Sequence, residues 1–99
     1  MTLEKEFTKA LEETIVQARK AGYNPHYVDQ MLQEHGGVET ARRLIAKKEP
    51  QTGLFELYHL GLLETSMEAV MLQEKFRPLF SEEELAEAHK RLDELNYFK

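Results

Sequence analysis

Apolar residues in this chain recur at intervals of three and four, and no segment alternates apolar with polar residues over the length of a strand. Such intervals place side chains on one face of an α-helix, as in the series of apolar residues from Leu3 to Ala18. The same spacing returns in later segments as far as Leu95. The pattern therefore predicts an all-α protein without a β-sheet.

Residues that start and stop helices divide the chain into about six short helices, which we expect to form a compact bundle. Asn24 and Pro25 are typical of a helix N-cap and first helical position, and Gly22 and Gly61 are typical of residues that follow a helix end. The predicted helices span approximately residues 3–21, 25–35, 38–48, 53–60, 66–75 and 82–96.

Two capping boxes indicate helix starts in the C-terminal half. Thr65 lies three residues before Glu68, and Ser81 lies three residues before Glu84. In a capping box the hydroxyl and the carboxylate each accept a hydrogen bond from the other residue's backbone N–H. We therefore expect one helix to begin after Thr65 and another to begin after Ser81.

The segment between Leu54 and Leu63 holds apolar residues on most sides of a helical projection. A helix that is apolar all round is normally buried in a core. The sequence therefore predicts a short, deeply buried helix that ends at Gly61.

The length of 99 residues fits a single helical domain, residues 1–99. The one place for a subdivision, into residues 1–49 and 50–99, is the break from Glu49 to Gly53. The net charge of −5 belongs wholly to the second half, because residues 1–49 hold eight basic and eight acidic residues. An acidic balance argues against a protein that coats nucleic acid non-specifically, since that role needs a basic surface.

The chain carries no signal for a membrane or a secretory route. Cysteine is absent, which excludes disulfides and thiolate metal sites. No apolar run is long enough to span a bilayer, and the first residues lack the basic and apolar pattern of a signal peptide. These features predict a cytoplasmic protein that does not bind membranes.

Glu56 and His59 have the Glu-x-x-His spacing that places a carboxylate and an imidazole on one helix face. Carboxylate-bridged di-iron bundles use two such pairs and two further glutamates, whereas this chain offers one pair. No other group of residues forms a set of nucleophile, base and oxyanion donors. We predict a protein that is not an enzyme and has no cofactor. A helical metal-binding protein or enzyme that uses Glu56 and His59 stays as an alternative.

A second alternative is a helix-turn-helix DNA-binding protein. The predicted helices 25–35 and 38–48 are short and are joined by the glycine turn at Gly36 and Gly37, as in that motif. A weak basic group lies on the second of them. The residues that would contact DNA are Thr40, Arg42, Arg43, Lys47 and Lys48.

The leading hypothesis is a module for protein–protein interaction, whose partner is another protein or a second copy of the chain. Pro78 disfavours helical geometry at Arg77, so residues 76–80 are predicted to form a loop that holds large apolar side chains in a fixed shape. With the aromatic residues at the C-terminus, this loop would form an apolar patch. The candidate interaction surface consists of Phe76, Arg77, Pro78, Phe80, Tyr97 and Phe98.

From Gly37 onward the sequence resembles a small helical domain that recurs in uncharacterised prokaryotic proteins. The resemblance covers about residues 37–97 and rests mostly on apolar and capping positions. In those proteins the domain looks like a C-terminal appendage, in some cases on proteins similar to restriction or phage-defence components. The resemblance implies a helical fold and supplies no catalytic residue. The segments that carry it are residues 39–45, 53–58, 66–70, 76–80 and 83–85.

Overall fold

The described residues, 2–47 and 52–98 of the computed structural model, form six α-helices and two 3-10 helices and contain no strand. The all-α prediction is confirmed. Residues 49–51 of the predicted break lie outside the described residues. In chain order the elements are α1 (Leu3–Lys20), α2 (His26–His35), α3 (Gly37–Ala46), α4 (Thr52–His59), the first 3-10 helix (Leu63–Thr65), α5 (Met67–Met71), the second 3-10 helix (Glu74–Leu79) and α6 (Glu82–Asp93).

The longest helix, α1, is the element around which the core is built. Its buried residues are Phe7, Leu11, Ile15 and Ala18, which is the face that the sequence pattern predicted. It packs against α2, α3, α5 and both 3-10 helices. Both halves of the chain therefore contribute to the core around α1. The largest buried cluster joins Phe7, Leu11, Ile15, Leu32, Ala41 and Ile45 with Val70, Met71, Phe76, Phe80 and Ala88.

The corner between α2 and α3 lies directly on α1. Gly36 joins the two helices with a φ of 79°, a conformation that glycine adopts without strain. The backbone N–H of Gly37 donates a hydrogen bond of 2.9 Å to the hydroxyl of Thr8 on α1. A Cβ atom at Gly37 would lie 2.8 Å from the Cα of Thr8 and 3.0 Å from the ring of Phe7. The absence of a side chain at Gly37 thus allows α3 to approach the backbone of α1.

We expect Gly37→Ala to lower the free energy of unfolding by about 1–3 kcal/mol, because the added methyl group forces two packed backbones apart. Chemical denaturation followed by circular dichroism measures the change. One of the clashing atoms is the Cα of Thr8, so shortening that side chain cannot remove the clash. The double variant Gly37→Ala/Thr8→Ala should therefore be no more stable than Gly37→Ala. A Gly37→Ala protein as stable as the parent would contradict the prediction.

The two predicted capping boxes have different outcomes. The box at Ser81 is confirmed: its hydroxyl accepts from the N–H of Glu84 at 3.1 Å, and its N–H donates to the Glu84 carboxylate at 2.8 Å. The box at Thr65 is wrong. The N-cap of α5 is Ser66, whose hydroxyl accepts from the N–H of Ala69 at 3.1 Å. The Thr65 hydroxyl donates instead to a carbonyl within the preceding turn.

Asn24 is not the N-cap of α2, contrary to the prediction. Its side-chain oxygen accepts a hydrogen bond of 3.1 Å from Nε of Arg19, near the end of α1. Pro25 occupies the cap position without a side-chain hydrogen bond, and α2 begins at His26. The amide side chain of Asn24 therefore holds the connection between α1 and α2.

The predicted helix over residues 66–75 is shorter in the structure, and the predicted loop that follows is helical. α5 ends at Met71, and the second 3-10 helix includes Pro78. Phe76 and Phe80 are buried, because both rings pack edge-on against Phe7, with centroids 5.3 and 5.1 Å away. The segment thus serves as part of the core.

Candidate functional site

The outer side of α4 carries an exposed group of apolar residues. Leu54 and Leu57 are buried, whereas Phe55, Tyr58 and Leu60 are 48%, 44% and 46% exposed. The prediction of a deeply buried helix is therefore wrong for this side of α4. The described residues include seven large apolar residues that are exposed, and three of them lie in this short stretch. We call Phe55, Tyr58 and Leu60 the α4 patch.

The structure separates the residues of the predicted interaction surface. Phe76 and Phe80 are in the core, so the prediction that they lie on a surface is wrong. Arg77 and Pro78 are exposed, and Nε of Arg77 donates to a backbone carbonyl 2.9 Å away, that of Leu72.

The other two residues of that surface lie at the C-terminus. Tyr97 and Phe98 are exposed, and the ring of Phe98 stacks on the ring of His89 with centroids 4.3 Å apart. Their role in binding, like that of Arg77 and Pro78, stays a prediction.

Most residues of the predicted DNA contact are buried or form hydrogen bonds within the protein. Thr40 is completely buried, so the prediction that it contacts DNA is wrong. Side-chain N–H groups of Arg42 and Arg43 donate hydrogen bonds to the carbonyl of Leu79 at 2.8 Å and to the carboxylate of Glu39 at 2.7 Å.

Lys47, another residue of that predicted contact, is the C-cap of α3. Lys47 Nζ donates to the hydroxyl of Tyr27 at 2.9 Å and lies 4.7 Å from the centre of its ring. Lys48 lies outside the described residues. Taken with the buried Thr40 and the occupied arginines, these contacts give no support to the DNA-binding alternative.

Glu56 and His59 both lie on the exposed side of α4. Their spacing places them one helical turn apart, as predicted. Among the residues that the structure describes, no three His, Cys, Asp or Glu side chains are grouped closely enough to hold a metal ion. Within that part of the chain, the pair therefore lacks the further ligands that a metal site would need.

A cavity of about 470 Å³ lies beneath α4, between that helix and α1, α2 and α3. Its lining includes the buried side of α4. Polar residues also line it, among them Tyr23 and Ser66, which carry hydroxyl groups, the carboxylate-bearing Glu68, and Lys47. The apolar lining residues are Leu11, Ile15, Ala18, Pro25, Val28, Leu44, Leu54, Leu57 and Met67.

Tyr23 forms part of the wall at the start of α4. A Cβ atom at Gly53 would lie 2.7 Å from its hydroxyl oxygen, so the first turn of α4 rests against this side chain. Burial and the nearby charge of Glu56 raise the pKa of the Tyr23 hydroxyl. The phenol is therefore neutral at physiological pH and is able to donate a hydrogen bond.

Arg91 on α6 and Glu68 on α5 form an ion pair next to this cavity. Their side chains are 9% and 6% exposed, and Nη1 of Arg91 lies 3.3 Å from the carboxylate of Glu68. Nε of Arg91 donates to a second carboxylate, that of Glu87, at 2.8 Å. Burial raises the pKa of Glu68, against the opposing effect of Arg91. Two carboxylates thus share one guanidinium.

The remaining N–H groups of Arg91 cap the C-terminus of α3. Nη1 donates to the carbonyl of Leu44 at 3.4 Å, and Nη2 donates to those of Ile45 and Lys47 at 3.1 and 2.8 Å. The last carbonyls of a helix have no partner within the helix and carry partial negative charge. A single side chain therefore connects α3, α5 and α6.

Sequence reasoning missed this ion pair. The spacing of Glu87 and Arg91, four residues apart on one helix, does predict their contact. Nothing in the local pattern indicates that the same guanidinium reaches Glu68 or the end of α3, because those contacts cross 23 to 47 residues of chain. The sequence pattern had instead assigned Glu68 to a capping box with Thr65, and so gave no indication of its ion pair with Arg91.

The chain matches no protein-family model, no curated protein and no solved structure. The resemblance to a small prokaryotic helical domain therefore stays a prediction. Within the described ranges, none of the helices combines the length and the apolar character needed to cross a bilayer.

Proposed function

We propose that this protein is a non-enzymatic interaction module that binds another protein through the α4 patch. The observation that carries the proposal is the exposure of Phe55 and Tyr58, one turn apart on α4, and of Leu60 just after the end of that helix. Exposed apolar groups of this kind mark interaction sites, and aromatic residues are enriched among those that dominate binding energy. The proposal keeps the interaction function expected from the sequence and moves its surface from residues 76–80 to α4.

The first partner to test is a second copy of the chain. The α4 patch of one copy is able to pack against the α4 patch of another across a two-fold axis, because the same surface of each copy then forms the interface. Glu56 and His59 are the polar residues that lie among those of the patch, so self-pairing brings few like charges together. A symmetric contact between two α4 helices would cover Phe55 and Tyr58 of both copies.

We expect the molar mass measured by light scattering to rise with protein concentration toward that of a dimer. Phe55→Ser/Tyr58→Ser should remain monomeric, because truncating central aromatic residues costs on the order of 2 kcal/mol each. Val16→Ser is the matched control: Val16 is 50% exposed but lies on a different helix, α1, and its variant should still dimerise.

The proposal also predicts the result if the partner is a different protein. A photo-crosslinking amino acid at position 55 should then capture that protein in cells, and the same amino acid at position 16 should not. A chain that is monomeric at every concentration and whose position 55 captures nothing would overturn the proposal.

A further inference from the structure

We propose that the cavity beneath α4 binds a small organic cation, an amine on an apolar body, with the ammonium group against Glu68. The site is separate from the α4 patch, which lies on the opposite side of the helix. Three observations carry this inference: the size of the cavity, the character of its walls and the incomplete pairing of one buried carboxylate.

The volume and lining of the cavity fit a small molecule. At about 470 Å³ it falls within the range of about 300–1,000 Å³ that is typical of ligand sites. Its walls include Leu11 and Ile15 of α1 and Leu54 and Leu57 of α4. Such sites combine mainly apolar walls with a few polar groups that orient the ligand. Here the polar groups include Glu68 and Ser66 at one side.

The hydrogen bonds of Arg91 leave the carboxylate of Glu68 only partly satisfied. A guanidinium has five N–H donors, and Arg91 uses them for Glu87, Glu68 and three backbone carbonyls. A carboxylate accepts about four hydrogen bonds, and Glu68 receives one of 3.3 Å from Arg91 and another from its own backbone N–H, which leaves acceptor capacity unused. Hydrogen bonds to an ionised carboxylate are strong, so a donor placed in the cavity beside the unused acceptor sites of Glu68 would be held there.

The charges around Glu68 favour a positively charged group as the hydrogen-bond donor of the ligand. With both carboxyls ionised, Glu68 and Glu87 bring two negative charges against the one positive charge of Arg91. An ammonium group supplies both the missing charge and the missing donors, and hydrogen bonds between ionised groups are the strongest ones. The other cation of the lining, Lys47, is exposed and already donates to Tyr27. If the apolar part of an acidic ligand filled the cavity, the carboxylate of that ligand would therefore be repelled by the carboxylate of Glu68.

Three probes of nearly equal shape test the chemistry: tryptamine as the cation, tryptophol as the neutral analogue and indole-3-propionic acid as the anion. We expect tryptamine to bind at least about tenfold more tightly than either of the others by calorimetry. In two-dimensional NMR its addition should shift the signals of Leu54 and Leu57. Equal binding of tryptamine and tryptophol, preferred binding of the acid, or no binding of any probe would overturn the proposal.

Variants then locate the site. Glu68→Gln keeps the shape of the side chain and removes its charge, so tryptamine should bind at least about tenfold more weakly. The matched control is Glu64→Gln, an exposed glutamate that does not line the cavity, which should leave binding unchanged. Tryptamine binding that survives in Glu68→Gln would contradict the assigned contact.

A second variant covers the case in which Glu68→Gln does not fold. Thr14 lines the cavity from α1 and is half-buried, so Thr14→Leu adds volume inside the cavity and suits a helix. Tryptamine should no longer bind to this variant. Unchanged affinity in a folded Thr14→Leu protein would place the probe elsewhere and overturn the proposal.

Discussion

Replacing Arg91 by methionine should lower the free energy of unfolding by about 3–5 kcal/mol, the range found when one partner of a buried ion pair is removed. Glu68 is left as a buried carboxylate with no opposite charge beside it. The last carbonyls of α3 also lose their donors, among them the 2.8 Å bond to Lys47. A domain of this size is stabilised by about 5–15 kcal/mol, so the variant should be marginally folded.

The loss should depend on pH, with a sign that follows from Glu68. Burial already raises the pKa of this carboxyl, and removing Arg91 raises it further. A carboxyl whose pKa is higher in the folded state destabilises the protein above its unfolded pKa, and the destabilisation disappears as the pH falls toward that value. The difference between parent and Arg91→Met should therefore be larger near pH 7 than near pH 5.

Urea denaturation at the two pH values measures both effects, and two variants serve as controls. Arg43→Met removes an exposed arginine that forms an ion pair with Glu39, four residues before it on the same helix. This variant should change stability little. Arg91→Met/Glu68→Leu removes the orphaned charge and should regain part of the lost stability. A double variant less stable than Arg91→Met would show that the ion pair does not account for the loss.

The contrast between Ser81 and Ser66 shows how far local sequence determines a helix start. At Ser81 the hydroxyl, the glutamate three residues later and the apolar pattern agree, and the capping box forms as predicted. At the start of α5 two consecutive hydroxyl residues, Thr65 and Ser66, compete for the cap. The glutamate that would have completed the box at Thr65 is drawn into the ion pair with Arg91. A tertiary contact thus decided what the local pattern left ambiguous.

The misassigned surface has a related cause. Periodicity identifies which residues are apolar on a helix, but it does not say whether the same chain covers them. α4 packs mainly against the first 3-10 helix, so one side of it stays exposed at Phe55 and Tyr58. Pro78 was predicted to prevent a helix, yet it is accommodated in a 3-10 helix, which brings Phe76 and Phe80 onto Phe7. The cavity and its carboxylate depend on such long-range packing and have no local signature.

The second large effect concerns Phe7, whose side chain has no exposed surface. Its ring meets Phe76 and Phe80 at interplanar angles of 76° and 67°, the edge-to-face geometry that aromatic pairs favour. Phe7→Ala removes both contacts and leaves a cavity at the centre of the core. We expect the free energy of unfolding to fall by about 3–5 kcal/mol, and the melting temperature by more than about 10 °C.

Differential scanning calorimetry checks this expectation, and substitutions on the same helix provide its controls. Val16→Ala truncates a half-exposed residue of α1 and should change stability by less than about 0.5 kcal/mol. Phe7→Leu retains much of the volume and should lie between Phe7→Ala and the parent, because the aromatic contacts are lost while the cavity is mostly filled. If Phe7→Ala lost no more stability than Val16→Ala, the second 3-10 helix would not be held by this aromatic cluster. The hypothesis that residues 76–80 form a surface loop would then be restored. The α4 patch would no longer be preferred over that loop as the interaction site.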